Sequence, residues 1–561
     1  MRCIRCLCYL RCLCCLTLLA WMVPVGLTIA QQPSAPPAKD TPPAKDTPPA
    51  KDTPPHPTVP SNLPNATEKL PLSGLAPAKL IPNLCVYRYR VSTNSPECQA
   101  LVDQGLGYYH SYVWMEAARS FETAARIDPD CAVAWWGLSR SLEKWGRPTH
   151  QKALERANEV LGRASPRERL LVQARLQEKG LWPNTPPEER KKAAARTLDE
   201  LLILYPDDEE AWYARAQISE GQAGVPYYHA LLRINPLHPG ANHELVHFYE
   251  NIRRPGLGWA NAEKYIESSP GIPHAFHMQA HLATRLGKWE KTSDRSARAI
   301  ELQRAYHKEM NVQPRDDHQY SHHLEILTLS LIHDGRFAEA RAIKQESWDA
   351  GFRHWVPWFR LHLAERDYAA AQQVVEGYRK SQNKTGAAYL AALLALAQGE
   401  LPRANAELEV LRQAASKRKN DRTLEYQLNE VQGLVLCKTG AVDEGLKLLE
   451  RAVEKSKSDY GHHAWGNGAY HMEVWGIAAL EAGRLEVAEE AFLEALAHDP
   501  GSVRGALGLA VICQRLGRSD EQQRYEQLAR RLWARAEVRS FDALRDELAR
   551  LLPGRVEAVG P

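Results

Sequence analysis

Residues 101–129 read LVDQGLGYYHSYVWMEAARSFETAARIDP. Leu101, Gly105 and Tyr108 recur at helical spacing in the first half, and Ala117, Phe121 and Ala124 do so in the second. Pro129 then ends the second run, because proline cannot continue a helix. The pattern predicts two helices joined by a turn, with small residues where they cross and large ones filling between. The next unit repeats it with Trp135, Ser139 and Leu142, each 34 residues after its counterpart. Far downstream, Trp475, Gly476, Ala488, Phe492, Ala495 and Pro500 keep the same spacing. No run of alternating β-branched residues between turn signals suggests a sheet.

Thirty-four residues is the period of the tetratricopeptide repeat, a helix–turn–helix unit that stacks into a superhelix. The expected fold is therefore all-α: a tetratricopeptide-type helical-repeat solenoid, wound as a right-handed superhelix, with a disordered N-terminal arm. At 561 residues the chain is too long for one compact core, a limit a solenoid escapes because each repeat touches only its neighbours. Eleven or twelve helix pairs are expected from residue 98 to about 535, with Gly287 and Gly335 at helix turns. A last helix near Phe541–Leu552 would cap the open end.

Outward from the repeats, the composition changes. Arg2, Arg5 and Arg11, an apolar stretch from Leu13 to Ala20 and the small residues of Thr28-Ile29-Ala30 make residues 1–30 a signal peptide or, if uncleaved, a membrane anchor. Either form directs the protein to the periplasm, the cell surface or the medium, with membrane contact only through an uncleaved segment. PPAKDT is written three times, at 36–41, 42–47 and 48–53, within a proline-rich linker spanning 31–80. A lead-in segment, 81–97, precedes the solenoid of 98–537, whose histidine-rich repeats occupy 238–345; a capping helix and tail fill 538–561. Six of the 11 cysteines lie in the leading segment. Of the remainder, Cys85 and Cys98 either bridge after export or, like Cys131, Cys437 and Cys513, stay free and buried. With 71 basic and 68 acidic residues the charge is balanced and no basic stripe is present, which excludes a nucleic-acid partner.

His243 and His247 sit four residues apart, as do His277 and His281, and the two pairs are one 34-residue period apart. Each pair lies on one helix face, and the period places the second pair on the equivalent helix of the next repeat. The expectation is that these four imidazoles meet on the concave face, with His274 on the second of these helices and, past an insertion of 14 residues, His322 and Glu325 on the next first helix. His243, His247, His277, His281, His322 and Glu325 would then hold a divalent transition metal, zinc first. Residues 243–247 also read HELVH, the two-ligand motif of zinc peptidases with Glu244 as base, so a metal-dependent hydrolase using Glu244 or Glu325 is the alternative. Histidines that pack between helices, contact a bound peptide or sense pH give the same pattern. His354, Trp355, Trp358 and His362 are read either as a peptide anchor or as repeat core.

The stretches DPDCAVAWWG (128–137), HPGANHELVH (238–247), HAFHMQAHLATRLGKW (274–289) and YSHHLEIL (320–327) resemble an exported bacterial tetratricopeptide-repeat family with patterns such as HPGANHxxIH, HMPxHIYxRxGRY and YPHNxHFL. The likeness runs from about 98 to 345. His243, His247, His277, His281 and His322 match histidines of that pattern, and Glu250 matches a glutamate. Glu325 stands where the family has histidine, and Glu244 has no counterpart. The resemblance implies an exported helical-repeat protein and brings no activity with it. The leading expectation is a scaffold that grips a protein or peptide partner in its concave groove.

Overall fold

Phe121 shows how the repeats interlock. Its ring is fully buried against Gly105 of its own repeat and Gly137 of the next, so close that a methyl group on Gly137 would lie 2.4 Å from the ring. Phe492 is wedged in the same way between Gly476 and Gly508. A large side chain from the second helix thus fills the space that glycines leave on two successive first helices.

The computed structural model describes residues 69–219, 221–317, 319–457 and 468–552, all within one compact unit, Leu63–Pro561. Expectations for the signal or anchor, for most of the proline-rich arm and for the last residues fall outside these. Among the described residues there are 25 α-helices and five short 3-10 turns. Those from Pro96 to Leu532 alternate as first and second helices of successive pairs, and a last helix, Ser540–Leu551, follows them. The fold is a helical-repeat solenoid of the tetratricopeptide type. No described helix is long and apolar enough to cross a membrane.

Local signals set the helix ends. Ser165 and Glu168 form a reciprocal capping box at the start of Pro166–Lys179, and Gly180 closes that helix in the left-handed conformation. The 14-residue insertion is spent on one long second helix, Trp289–Met310, and the loop after it.

The linker expectation needs correction at its end. Residues 69–80 pack on the first repeats rather than standing free. Leu70 and Ala78 are buried, Leu72 and Ser73 donate backbone N–H groups to the Glu122 carboxylate (2.6 and 2.8 Å), and the Ala78 N–H donates to Thr123 Oγ1 (2.8 Å). The segment after it threads to residues some 120–180 positions ahead: Tyr87 donates to Glu210 (3.0 Å), Tyr89 to Asp208 (3.0 Å) and Val86 N–H to the Ser268 carbonyl (2.8 Å). The five cysteines of the described part are free, with Cys85 beside Ser269 Oγ at 3.6 Å rather than bridged to Cys98.

The superhelix also touches itself. Tyr306 donates to Glu116 (2.6 Å, 190 residues apart), and the Trp289 indole N–H donates to Asp499 (3.0 Å, 210 apart). The Trp533 indole N–H donates to the His333 carbonyl (2.6 Å, 200 apart), and Glu537 N–H donates to the Gly335 carbonyl (3.1 Å). The turn glycines foreseen in the sequence receive these contacts. Gly287 (φ +64°) faces Asp499 and Gly501, and Gly335 (φ +70°) faces Trp533 and Ala536, each so closely that a Cβ would collide.

Candidate metal centre

Three first helices of successive repeats, Pro239–Asn251, Pro273–Arg285 and Tyr320–His333, carry the histidines. The side chains do not meet at one point, as the 34-residue period suggested. They form two groups: His243, His247 and His274; and His277, His281 and His322. In each group one potential ligand nitrogen per residue lies within 4.8 Å of the others. Contacts between the helices fall at an offset of 31 residues rather than 34, as in His243–His274 and Glu250–His281. Equivalent positions are therefore displaced by about one helical turn, and His243 meets His274 rather than His277.

In the first group, His243 Nδ1 donates to the backbone carbonyl of His110 (2.7 Å). A carbonyl only accepts, so the proton sits on Nδ1 and Nε2 presents its lone pair. That Nε2 lies 3.0 Å from His274 Nε2. The Tyr112 ring covers the group, with centroids 4.3 Å from His243, 5.6 Å from His247 (stacked) and 6.0 Å from His274. His247 Nε2 and His274 Nδ1 are buried with no hydrogen-bond partner.

The second group repeats the logic with a carboxylate. His281 Nδ1 is 3.2 Å from Glu250 Oε2, and Arg285 Nε is 3.3 Å from the other carboxylate oxygen. Burial alone would raise the Glu250 carboxyl, but His281 and Arg285 override it and hold it at about 2. Glu250 is therefore ionised and His281 donates from Nδ1, leaving Nε2 as an acceptor 2.6 Å from His277 Nε2. The His277 ring lies 4.8 Å from that of His322 and 4.1 Å from that of His323. His323 Nδ1 is in turn held by Gln303 Oε1 (2.7 Å).

Burial foremost, then neighbouring imidazoles, pushes His243, His274 and His277 well below the usual histidine range. Burial brings His281 down to about 4 against the pull of Glu250. These rings are neutral at pH 7 and keep a lone pair each, the form a metal requires. Two nitrogens on one tetrahedral zinc stand about 3.3 Å apart, given zinc–nitrogen bonds of about 2.0–2.1 Å. A small opening of either Nε2 pair reaches that separation. A backbone carbonyl or carboxylate on the far nitrogen is the usual support of a ligating histidine.

Glu325 joins neither group; its carboxylate lies 3.8 Å from His322 Nδ1. Glu244 is in neither group, and one of its oxygens accepts from Tyr112 OH (2.9 Å), Tyr213 OH (3.0 Å) and Gln217 Nε2 (2.9 Å). Engaged in this way, it is not placed as the base of a peptidase. His354, Trp358 and His362 are buried, as repeat core would be, and Trp355 is half-buried. A third cluster, His110, Glu210 and His238, is fully buried. There Glu210 accepts from His110 Nε2 (2.8 Å) and Tyr87, and His238 Nδ1 caps its own helix by accepting the Ala241 N–H (3.1 Å). His110 Nδ1 and His238 Nε2 are buried without a hydrogen-bond partner, while the remaining polar atoms of the cluster tie the lead-in segment to the first repeats.

Sequence reasoning did not assign the supporting roles of Glu250 and the His110 carbonyl, nor His274 as a full member of a group. Glu250 was within reach, since it lies seven residues after His243 and so on the same helix face.

The helix pairs that carry these histidines make a helical-repeat solenoid of the tetratricopeptide type. A tetratricopeptide-repeat family profile matches residues 474–537. Among solved structures, the chain is similar to yeast Tom70 at 11% identity and a TM-score of 0.33, over 81% of this chain and 95% of that one. The Cut9–Hcn1 hetero-tetramer of the APC/C shares 12% identity at a TM-score of 0.31, over 80% of this chain and 84% of that one. The P58(IPK) TPR domain shares 14% at 0.17, over 61% and 98%. At these TM-scores the likenesses bear on neither partner nor activity. No curated protein sequence matches the chain.

Proposed function

We propose that this protein is an exported scaffold whose repeats bind a protein or peptide partner and whose central repeats hold a divalent transition metal, zinc in the first instance. The observation that supports the metal is the pair of three-histidine groups. In each, one ring has its outer N–H locked by an oxygen, so that its inner nitrogen faces its neighbours as a lone pair. The partner reading follows from how stacked repeats work, through an extended curved surface rather than a closed pocket. Export rests on the leading segment, residues 1–30, which would place the protein in the periplasm, at the cell surface or in the medium.

Elemental analysis of protein purified without chelator tests the metal. The expected result is stoichiometric zinc or a neighbouring transition metal, reduced in a His277→Ala/His281→Ala variant that stays folded. Metal-free protein that also fails to take up added zinc would leave the scaffold alone.

A further inference from the structure

The two histidine groups differ in what surrounds them. Tyr112 covers the first. The second has an open side: the His322 side chain is 27% exposed, and with Glu325 it lines a cavity of about 500 Å³. That volume falls within the range of small-molecule sites. Arg360, Tyr389, Tyr426 and His471 line the same cavity.

The charges along this cavity are unequally committed. Glu430, beneath it, accepts from Tyr389 OH (2.7 Å) and is held by His471 Nδ1. Glu325 leans on His322, and Asp421 lies 3.7 Å from Arg418. Arg360 is different. It is half-buried, its guanidinium carbon lies 4.3 Å from the centre of the Tyr470 ring, and no carboxylate among the described residues pairs with it. An arginine held over an aromatic ring with its donors unspent is set up to receive a carboxylate on its fork. An ion held by three imidazole ligands likewise keeps its full double charge and a fourth position for an anion.

We infer that the second histidine group is a ligand-exchange site for a small dicarboxylate, one carboxylate reaching the ion at His277, His281 and His322 and the other reaching Arg360. This rests on the metal reading above and adds the chemistry of what enters.

The full chain loaded with Co²⁺ reports on both, because cobalt stoichiometry and cobalt visible absorption are separate readouts. Succinate is the probe. Saturable change of the cobalt bands is expected, with an affinity that falls about tenfold in Arg360→Gln and recovers in part in Arg360→Lys. Cobalt stoichiometry should stay constant across the three proteins, which also shows that the variants are folded. Cobalt bound at full stoichiometry with bands indifferent to succinate would overturn the dicarboxylate site while sparing the metal. A response equal in wild type and Arg360→Gln would overturn the role of Arg360. Absence of cobalt from the wild-type protein would overturn the metal reading, and this inference with it.

Discussion

The carbonyl oxygen of His110 determines which nitrogen of His243 carries a proton, across 133 residues of chain. Glu250 does the same for His281. These two acceptors turn a collection of imidazoles into two oriented sets, and they make the sets separable. His247→Ala is expected to lose the metal of the first group and keep that of the second, and His322→Ala the reverse, with each variant retaining half of the wild-type metal by mass spectrometry under native conditions. Another residue also acts through its charge state. Burial foremost raises the Asp499 carboxyl to about 7, so the folded protein keeps a proton that the unfolded chain has lost. Stability therefore declines as pH rises from about 4 to about 7 and is flat above, by up to about 4 kcal/mol. Asp499→Asn still accepts from Trp289 and Gly501, and urea titrations across that range should show the slope gone. Much of the candidate site was legible in the sequence, since His243, His247, His277, His281 and His322 all fall in the two groups. What the spacing could not show is which of them touch. A period identifies equivalent positions, whereas contact depends on how far adjacent helices are staggered. The stagger here is 31 residues, lengthened to 45 between His277 and His322 by the inserted loop.

At the scale of helices, the wedge of one phenylalanine between two glycines carries the repeat. Gly137→Ala would drive a methyl group into the Phe121 ring, and a loss of about 1–3 kcal/mol is expected in urea unfolding. Ser165→Ala breaks the capping box and should remove about 1 kcal/mol by the same measurement. The wedge was readable beforehand: Gly105, Phe121 and their counterparts Gly476 and Phe492 hold the repeat pattern in plain view. The packed stretch at 69–80 was not. Its prolines signal extended chain, and nothing local announces that Glu122 and Thr123 wait to accept its backbone N–H groups.

For the whole molecule, the decisive contacts join residues about 190–240 positions apart. Trp533 against His333, Glu537 against Gly335 and Trp289 against Asp499 hold one winding of the superhelix to the next. A simple repeat array has only nearest-neighbour interfaces and frays from its ends. Here the C-terminal repeats protect turns in the middle of the chain. Trp533→Ala is expected to raise amide exchange at 333–338, far away in sequence, as well as around the mutation itself.

Those glycine corners, where one winding rests on another, change how the molecule answers a pull. An open coil lengthens gradually under load, like a spring. A coil whose loops are clasped must first unfasten, so stretching it from both ends in optical tweezers should give an abrupt rip before any smooth extension, and opening the clasp at Trp533 should lower the force of that first event.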